Sequence, residues 1–300
     1  MPVPIFSVSG GLGNQLFQWF AAHSITKNQK FIIRPIFPSG EVFQSGVNDH
    51  RSFELSPLEL RCEHAEILNQ EHRFTDFFCR LMDWSVQFPK LTFFTRFLGY
   101  LNENPRIKSS YQYKPLLNLR YVSGSFQDYN YVEDVSEVIE SELSESLDSL
   151  FHKLQIQFKI PSNFTVAHIR RGDYRVDKNP ETMIGVLSDA YYDNFFRLKV
   201  HSEFTILLVE NSEEILDLVD SIKPDLVLDK HNTNAWDCLA IMSRSSLFLG
   251  ANSTLSFWGA YIASKKGARV YLPSEWDIAH KFDTNKYIFP GCLIHPANWE

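Results

Sequence analysis

In the second half of this chain, short apolar runs rich in β-branched residues alternate with amphipathic stretches of helical length, and that alternation restricts the fold more than any other feature. Phe164 to Ile169, Phe204 to Val209, Ser246 to Gly250 and Arg269 to Leu272 read as strands. Helical periodicity covers about Ser188 to His201, Ser212 to Ile222, Asn234 to Arg244 and Thr254 to Ser264, with Ser188, Ser212 and Asn234 as candidate N-caps. Such repetition calls for a parallel sheet, because parallel neighbours need a long crossover between them. Ligands of these sheets gather beyond the carboxyl ends of the strands, which is where Arg170, Glu210 and Asn252 fall.

The first half opens in the same idiom. A strand from Val3 to Val8 runs into Ser9-Gly10-Gly11-Leu12-Gly13-Asn14-Gln15 and then an amphipathic helix to about Thr26. Phe31 to Ile36 reads as a second strand, followed by a Pro/Gly/Asn-rich loop through His50. Phe74, Phe77, Phe78, Leu81 and Met82 mark one face of a helix, and Phe88 to Leu101 adds aromatic residues with Lys90 and Arg96, a pattern that suits core packing and also a membrane surface. Tyr121 to Phe126 reads as a strand, and Glu133 to Leu154 as an acidic helix leading to Ile160-Pro161-Ser162-Asn163. Two domains are expected, 1–158 and 159–300.

At 300 residues with 44% hydrophobic content, the chain can build two well-packed cores. A formal charge of -7 argues against a nucleic-acid partner and leaves room for a local basic cleft. Cys62, Cys79, Cys238 and Cys292 are scattered without a C-x-x-C pair, which disfavours a zinc site and a disulfide framework. The N-terminus lacks the charged start and apolar core of a signal peptide, and no segment has the apolar length of a membrane span, so a cytoplasmic setting is expected. The sequons at Asn163 and Asn252 fall within framework or site segments and read as chance matches.

Three motifs carry chemistry. His168-Ile169-Arg170-Arg171-Gly172-Asp173-Tyr174 ends a strand with two arginines beside a carboxylate, an arrangement suited to gripping a pyrophosphate and equally compatible with a surface ion pair. The Gly10 to Gln15 turn lets backbone N–H groups approach an anion, or serves as a tight strand-to-helix connection; it has neither the P-loop Lys-Ser/Thr nor the dinucleotide spacing. Asn252-Ser253-Thr254-Leu255-Ser256-Phe257-Trp258 opens a helix with hydroxyls and an amide, which can cap it, form a second pole for a diphosphate, or both.

Together these motifs resemble the bacterial α-1,2-fucosyltransferases of glycosyltransferase family 11. The marks are GGLGNQLFQ (Gly10 to Gln18), HIRRGDY (His168 to Tyr174), and DCLAIMS (Asp237 to Ser243) leading into NSTLSFWGAYI (Asn252 to Ile262). The likeness covers nearly the whole chain, and the His-x-Arg-Arg-x-Asp element is shared with α-1,6- and protein O-fucosyltransferases. The resemblance implies an α/β fold of GT-B type: two Rossmann-like domains, an N-terminal acceptor-side domain and a C-terminal GDP-fucose-binding domain, with the donor site in the cleft between them. It implies GDP-β-L-fucose as donor, inversion at the anomeric carbon, a terminal β-galactoside of a surface polysaccharide as acceptor, and no cofactor or metal. No Asp-x-Asp metal motif occurs in the chain. A lipid-linked acceptor would bring the protein to the inner membrane peripherally.

By the same resemblance Arg170 binds the β-phosphate and stabilises the departing GDP, while Arg171 and Asp173 brace the loop or contact the nucleotide. Ser253 and Ser256 add hydrogen bonds to the phosphates, with Asn252 and Thr254 beside them. Gly11, Gly13 and Asn14 form the opposing wall, His168 contacts the nucleoside, and Asp237 the ribose or guanine. Glu210 is a substrate-contact candidate where many members carry a Ser-Asp-Asp type sequence, and Phe257-Trp258 stands where many carry a double Trp. The proton acceptor is Asp173, Asp128, Glu210 or a phosphate oxygen. The alternatives are another linkage or acceptor, a protein hydroxyl included, and a catalytically silent GDP-sugar or glycan binder.

Overall fold

The structure, a computed structural model, describes residues 3–36, 52–56, 62–68, 73–85, 99–103, 120–176, 184–199 and 204–300. They fall into two compact units, one running to Leu143 and the other from Ser144 to Glu300. Helix α4 (Ser136–Phe158) crosses this division, and the boundary expected between 158 and 159 lies at its end.

The first unit contains β1 (Ile5–Val8), α1 (Leu12–Thr26), β2 (Phe31–Pro35), β3 (Ala65–Ile67), α2 (Arg73–Ser85), β4 (Tyr100–Glu103), β5 (Tyr121–Gly124) and α3 (Tyr129–Glu133). Its sheet has the order β3-β2-β1-β5-β4, with every pairing parallel. Strand β1 is buried along its whole length, as a central parallel strand covered on both faces must be. Helix α1 is buried nearly all round through Leu12, Leu16, Phe17, Trp19 and Phe20, which excludes a surface-helix stripe. On α2 the sequence face divides: Phe78, Cys79 and Met82 pack against Ile5, Tyr100 and Tyr121, whereas Phe77, Leu81 and Trp84 are exposed. One helix face cannot hold both strips, and the strip at 78, 79 and 82 wins the core. Of Phe88 to Leu101, residues 88–98 lie outside the described residues, as do the Pro38 to His50 loop and the side chain of Phe74.

The second unit contains β6 (Thr165–Ile169), α5 (Gly172–Val176), α6 (Asp189–Lys199), β7 (Thr205–Val209), a 3-10 turn (Ser212–Ile215), α7 (Leu216–Ile222), β8 (Leu226–Leu228), α8 (Ala235–Met242), β9 (Leu247–Leu249), α9 (Thr254–Lys265), β10 (Arg269–Pro273) and β11 (Cys292–His295). All strands are parallel in the order β11-β10-β9-β6-β7-β8. Strands β6 and β7 are buried at every position, in keeping with their continuous apolar runs. One face packs Ala167, Ile169, Leu207, Val209 and Leu249 against Tyr191, Tyr192, Phe195 and Leu218 of α6 and α7. Each unit, taken by itself, is a Rossmann-like parallel α/β sheet. Among the described residues no helix is long and apolar enough to cross a membrane.

Two of the expected N-caps have other partners. The Ser188 hydroxyl donates to Asn298 Oδ1 at 2.6 Å, and the Ser212 hydroxyl to Asp229 Oδ2 at 2.6 Å, while Asn211 caps the 3-10 turn. Ser212 stands inside the turn rather than ahead of it, so the cap position falls to Asn211. Asn234 does cap α8: it accepts from Asp237 N–H at 3.0 Å, and Asp237 Oδ2 accepts from Asn234 N–H at 2.9 Å, a reciprocal capping box. Replacing Asn234 by Ala is expected to destabilise the second unit by about 1 kcal/mol, read as a shift of its urea unfolding transition.

Candidate active site

The switch point of the six-stranded sheet falls between β6 and β9, because β7 and β8 extend from β6 on one side and β10 and β11 from β9 on the other. Crossovers leave toward opposite faces there, and the parting of the loops opens a crevice at the strands' carboxyl ends. Register pairs Ile169 with Val209 and Ala167 with Leu249. Arg170, Glu210 and the Ala251-Asn252-Ser253 turn therefore leave three adjacent strands at one end of the sheet.

Arg170 is a part-exposed cation held from two sides. Its Nη1 lies 3.2 Å from Glu210 Oε2, and its guanidinium carbon stands 5.1 Å from the centre of the Tyr174 ring. The Tyr174 hydroxyl donates to the Asn252 carbonyl at 3.3 Å, which links the β6 and β9 loops. Gly172 makes the close approach of Glu210 possible: it has φ +30°, and a Cβ there would lie 2.0 Å from Glu210 Oε2.

Arg171 is turned the other way and is only 2% exposed. It pairs with Asp189 through Nη2 and donates from Nη1 to the Glu214 carbonyl at 2.6 Å, with Glu300 Oε1 3.8 Å from Nε. Arg175 extends the cluster to Glu300 at 2.6 Å and Glu214 at 3.4 Å, and its hydrogen bond to Glu300 raises its pKa. The two adjacent arginines thus serve different ends, one anchoring the loop and one presented at the crevice.

His168 and Ser256 form a buried pair, Nδ1 to Oγ at 2.6 Å, and Ser256 Oγ also accepts from the Ala251 N–H at 3.0 Å. The hydroxyl keeps both its proton and a second lone pair for the imidazole, so the pair fixes the orientation of the ring with either nitrogen protonated. Burial pushes the His168 pKa down to about 3, with the Arg170 charge acting in the same direction, so the ring is neutral. Ser256 is fully buried and braces His168 and the start of the β9 turn. Asn252 is also fully buried, donating from Nδ2 to the carbonyls of Gly185 at 3.1 Å and Trp276 at 3.3 Å. Ser253 is the N-cap residue of α9, yet its side chain makes no cap hydrogen bond, and half-buried Thr254 begins the helix. Asp237 lies apart from these groups in the sequence of elements, engaged in the capping box of α8.

In the first unit the switch point lies between β1 and β5. The turn after β1 has Gly10 at φ +80° and extended Gly11 as N-cap of α1, with open space where a Gly11 side chain would stand. Gly13 is buried in the first turn of α1, and Asn14 Oδ1 accepts from Gln127 Nε2 at 3.0 Å, joining the loops after β1 and β5. Gln15 and Gln18 tie the turn down: Gln15 Nε2 donates to the carbonyls of Gly10 and Ser52, and Gln18 Nε2 to that of Gly124.

Among the proton-acceptor candidates, Asp128 is buried and caps α3, accepting from Asn130 N–H at 3.0 Å. Glu210 faces Arg170, and the Asp173 side chain lies outside the described residues. The roles of Tyr174, Gly172 and Gln127 escape the sequence, although Gly172 and Tyr174 stand inside the arginine motif. Spacing alone does not show which neighbour a ring covers or which residue a glycine makes way for.

A parallel α/β sheet with a part-exposed arginine, a neutral imidazole and a helix N-terminus at its switch point is an arrangement chemically able to hold an anion. The glycosyl transferase family 11 model matches residues 80–288, and the chain belongs to that family. It is 24% identical over 286 residues to the O-antigen biosynthesis glycosyltransferase WbnK of Escherichia coli, covering 90% of this chain and 93% of that protein. It is 23% identical over 296 residues to an alpha-1,2-colitosyltransferase of Escherichia coli, covering 92% and 93% respectively. A stretch of 118 residues is 27% identical to galactoside alpha-(1,2)-fucosyltransferase 1 of Ateles belzebuth, covering 37% of this chain and 31% of that one. Among solved structures, the E. coli heptosyltransferase WaaC with ADP is similar at a TM-score of 0.47 and 10% identity over 99% of this chain and 94% of that one.

The unequal burial of the two arginines yields an expected contrast. Arg171→Ala removes the counter-charge of a buried cluster and is expected to lower stability by about 3 kcal/mol, whereas Arg170→Ala leaves the unfolding transition close to that of the parent. Chemical denaturation of both variants checks this. A second expectation concerns pH. With its folded pKa at about 3 against an ordinary 6.5, His168 refuses a proton that the unfolded chain accepts. Its contribution is complete above the unfolded value and falls as pH drops through the interval toward the folded one. The thermal unfolding midpoint should decline on acidification through that interval, and His168→Gln should flatten part of the decline.

Proposed function

We propose that this protein transfers L-fucose from GDP-β-L-fucose to the 2-hydroxyl of a terminal β-galactoside in a surface glycan, with inversion at the anomeric carbon and without a metal ion or cofactor in the transfer step. The observation that carries the reading is Arg170 at the switch point of the second sheet, beside the start of α9. Family membership supports sugar transfer, and the names of the relatives point to α-1,2 linkage, to a galactoside acceptor and to O-antigen assembly.

In this reading the acceptor 2-hydroxyl attacks fucose C1 as the bond from C1 to the β-phosphate oxygen breaks. Negative charge grows on the departing GDP. The Arg170 guanidinium and the first-turn N–H groups of α9 meet that charge, and the neutral His168 ring, in its Nε2–H tautomer, adds a donor to the nucleotide. Glu210 and Tyr174 hold Arg170 in position before the donor arrives. Of the side-chain bases named by the motifs, Asp173 and Glu210 remain as acceptors for the hydroxyl proton, with a phosphate oxygen as the third, since Asp128 is engaged as a cap. A second reading, with colitose as the sugar moved, has the whole-length colitosyltransferase relative in its favour.

The test is GDP release by the purified chain from GDP-fucose, with and without lactose, followed by determination of the product linkage. Acceptor-dependent release, a 2-linked fucose, and no rise in rate on adding magnesium or manganese are expected. Arg170→Ala should reduce turnover by about a hundredfold or more. Release from GDP-colitose alone would transfer the assignment to the second reading, and near-normal turnover by Arg170→Ala would remove Arg170 from the mechanism.

A further inference from the structure

Three side chains of metal-ligating type meet in the first unit, outside the residues named for transfer. His23 comes from the last turn of α1, Cys62 from the segment that leads into β3, and Glu142 from α4. Their ligand atoms all lie within 4.8 Å of one another. His23 Nε2 is 3.7 Å from Cys62 Sγ and 3.5 Å from Glu142 Oε1. Around a tetrahedral zinc with bonds of about 2.3 Å to sulfur and about 2.0 Å to nitrogen and oxygen, neighbouring ligand atoms stand roughly 3.3 to 3.6 Å apart. Both distances from His23 Nε2 therefore match edges of such a site to within a few tenths of an ångström, and the third ligand pair lies within 4.8 Å.

Each of two ligands is oriented by a further contact. His23 Nδ1 lies 3.1 Å from Asn28 Oδ1, an acceptor-only atom, so the proton sits on Nδ1 and the Nε2 lone pair faces Cys62 and Glu142. Trp19 Nε1 donates to Glu142 Oε2 at 2.9 Å, which leaves Oε1 toward His23. Hydrogen bonds of this kind, holding the far atom of a ligand, are how proteins aim metal ligands. His23 is 1% exposed, and burial lowers its pKa to about 4, so its imidazole is neutral. A cavity of about 530 Å³, lined also by Asn28, Glu63, His64, Val138 and Ser141, borders the cluster and provides entry and room at the fourth corner.

We propose that His23, Cys62 and Glu142 bind one zinc ion, with the fourth position open to the cavity, and that the ion clamps the end of α1 to the entry of β3 and to α4. The donor set selects the metal. A thiolate and an imidazole favour zinc over calcium or magnesium, which prefer oxygen alone. One thiolate and one carboxylate also balance the charge of the dication, and the thiol proton leaves to solvent on binding. The clamp sits at the opposite end of α1 from the glycine turn, so its role is structural. The cysteine spacing that argued against zinc assumed neighbouring ligands; these three come from widely separated positions and are joined only by the fold.

Cobalt(II) titration of the full chain after chelator treatment tests the proposal independently of sugar transfer. One equivalent is expected to give a thiolate-to-cobalt charge-transfer band with tetrahedral d–d bands, both removed by equimolar zinc, and zinc should raise the thermal unfolding midpoint of the parent chain. Cys62→Ser should abolish the charge-transfer band, Cys238→Ser and Cys292→Ser should retain it, and Asn28→Ala should weaken zinc binding about tenfold or more. Absence of the band from the parent chain overturns the proposal whatever the variants do. Its survival in Cys62→Ser, or its loss in Cys238→Ser or Cys292→Ser, overturns it as well, since the metal would then be bound elsewhere.

Discussion

The parallel pairing of β6 with β7 on one side and β9 on the other is the constraint on which the candidate site depends. Parallel register brings the carboxyl ends of these strands to the same edge, and the reversal of strand order between β6 and β9 parts the loops there. Groups 40 and 82 residues from Arg170 in the chain, Glu210 and Asn252, are delivered to one place by backbone hydrogen bonding alone. The side chains then refine what the sheet has assembled.

That refinement separates anchoring from presentation. Arg171, Asn252 and Ser256 are buried and hydrogen-bonded to protein groups, and they hold the β6 and β9 loops in shape. Arg170 stands part-exposed at the end of β6, and Ser253 and Thr254 stand at the start of α9. A buried cation needs close partners because its desolvation is expensive; Arg171 has them in Asp189 and the Glu214 carbonyl. Arg170 retains partial exposure beside the Glu210 carboxylate and the Tyr174 ring face, and a part-exposed cation can still meet an anion. The same logic applies to His168, whose burial keeps it neutral and whose bond to Ser256 fixes the orientation of its ring.

Much of this was legible in the chain. The strands β6, β7, β9 and β10 and their helices follow from continuous apolar runs and amphipathic periods, because a doubly covered parallel strand must be apolar at every position. The short strands β3, β8 and β11 were not legible: three or four residues with mixed exposure, as in Ala65–Ile67, carry no period, and only pairing with a neighbour makes them strands. The cap expected at Ser212 falls one residue earlier, at Asn211, because the chain turns before the apolar period begins. The apolar residues of α2 were visible, but which strip faces inward depended on where Tyr100 and Tyr121 stand.

The sequence by itself determined the class of fold, the location of the motifs at strand ends, and the family, because these rest on residue types and periods that are local or repeated. Tertiary structure alone decided which of two adjacent arginines is buried, that Ser256 serves His168, that Tyr174 lies beside Arg170, and that His23, Cys62 and Glu142 share a corner of the first unit. The physical reason is the same in each case. Burial, tautomer and ligand geometry are properties of neighbours in space, and chain order constrains those neighbours only through the packing that the whole fold achieves.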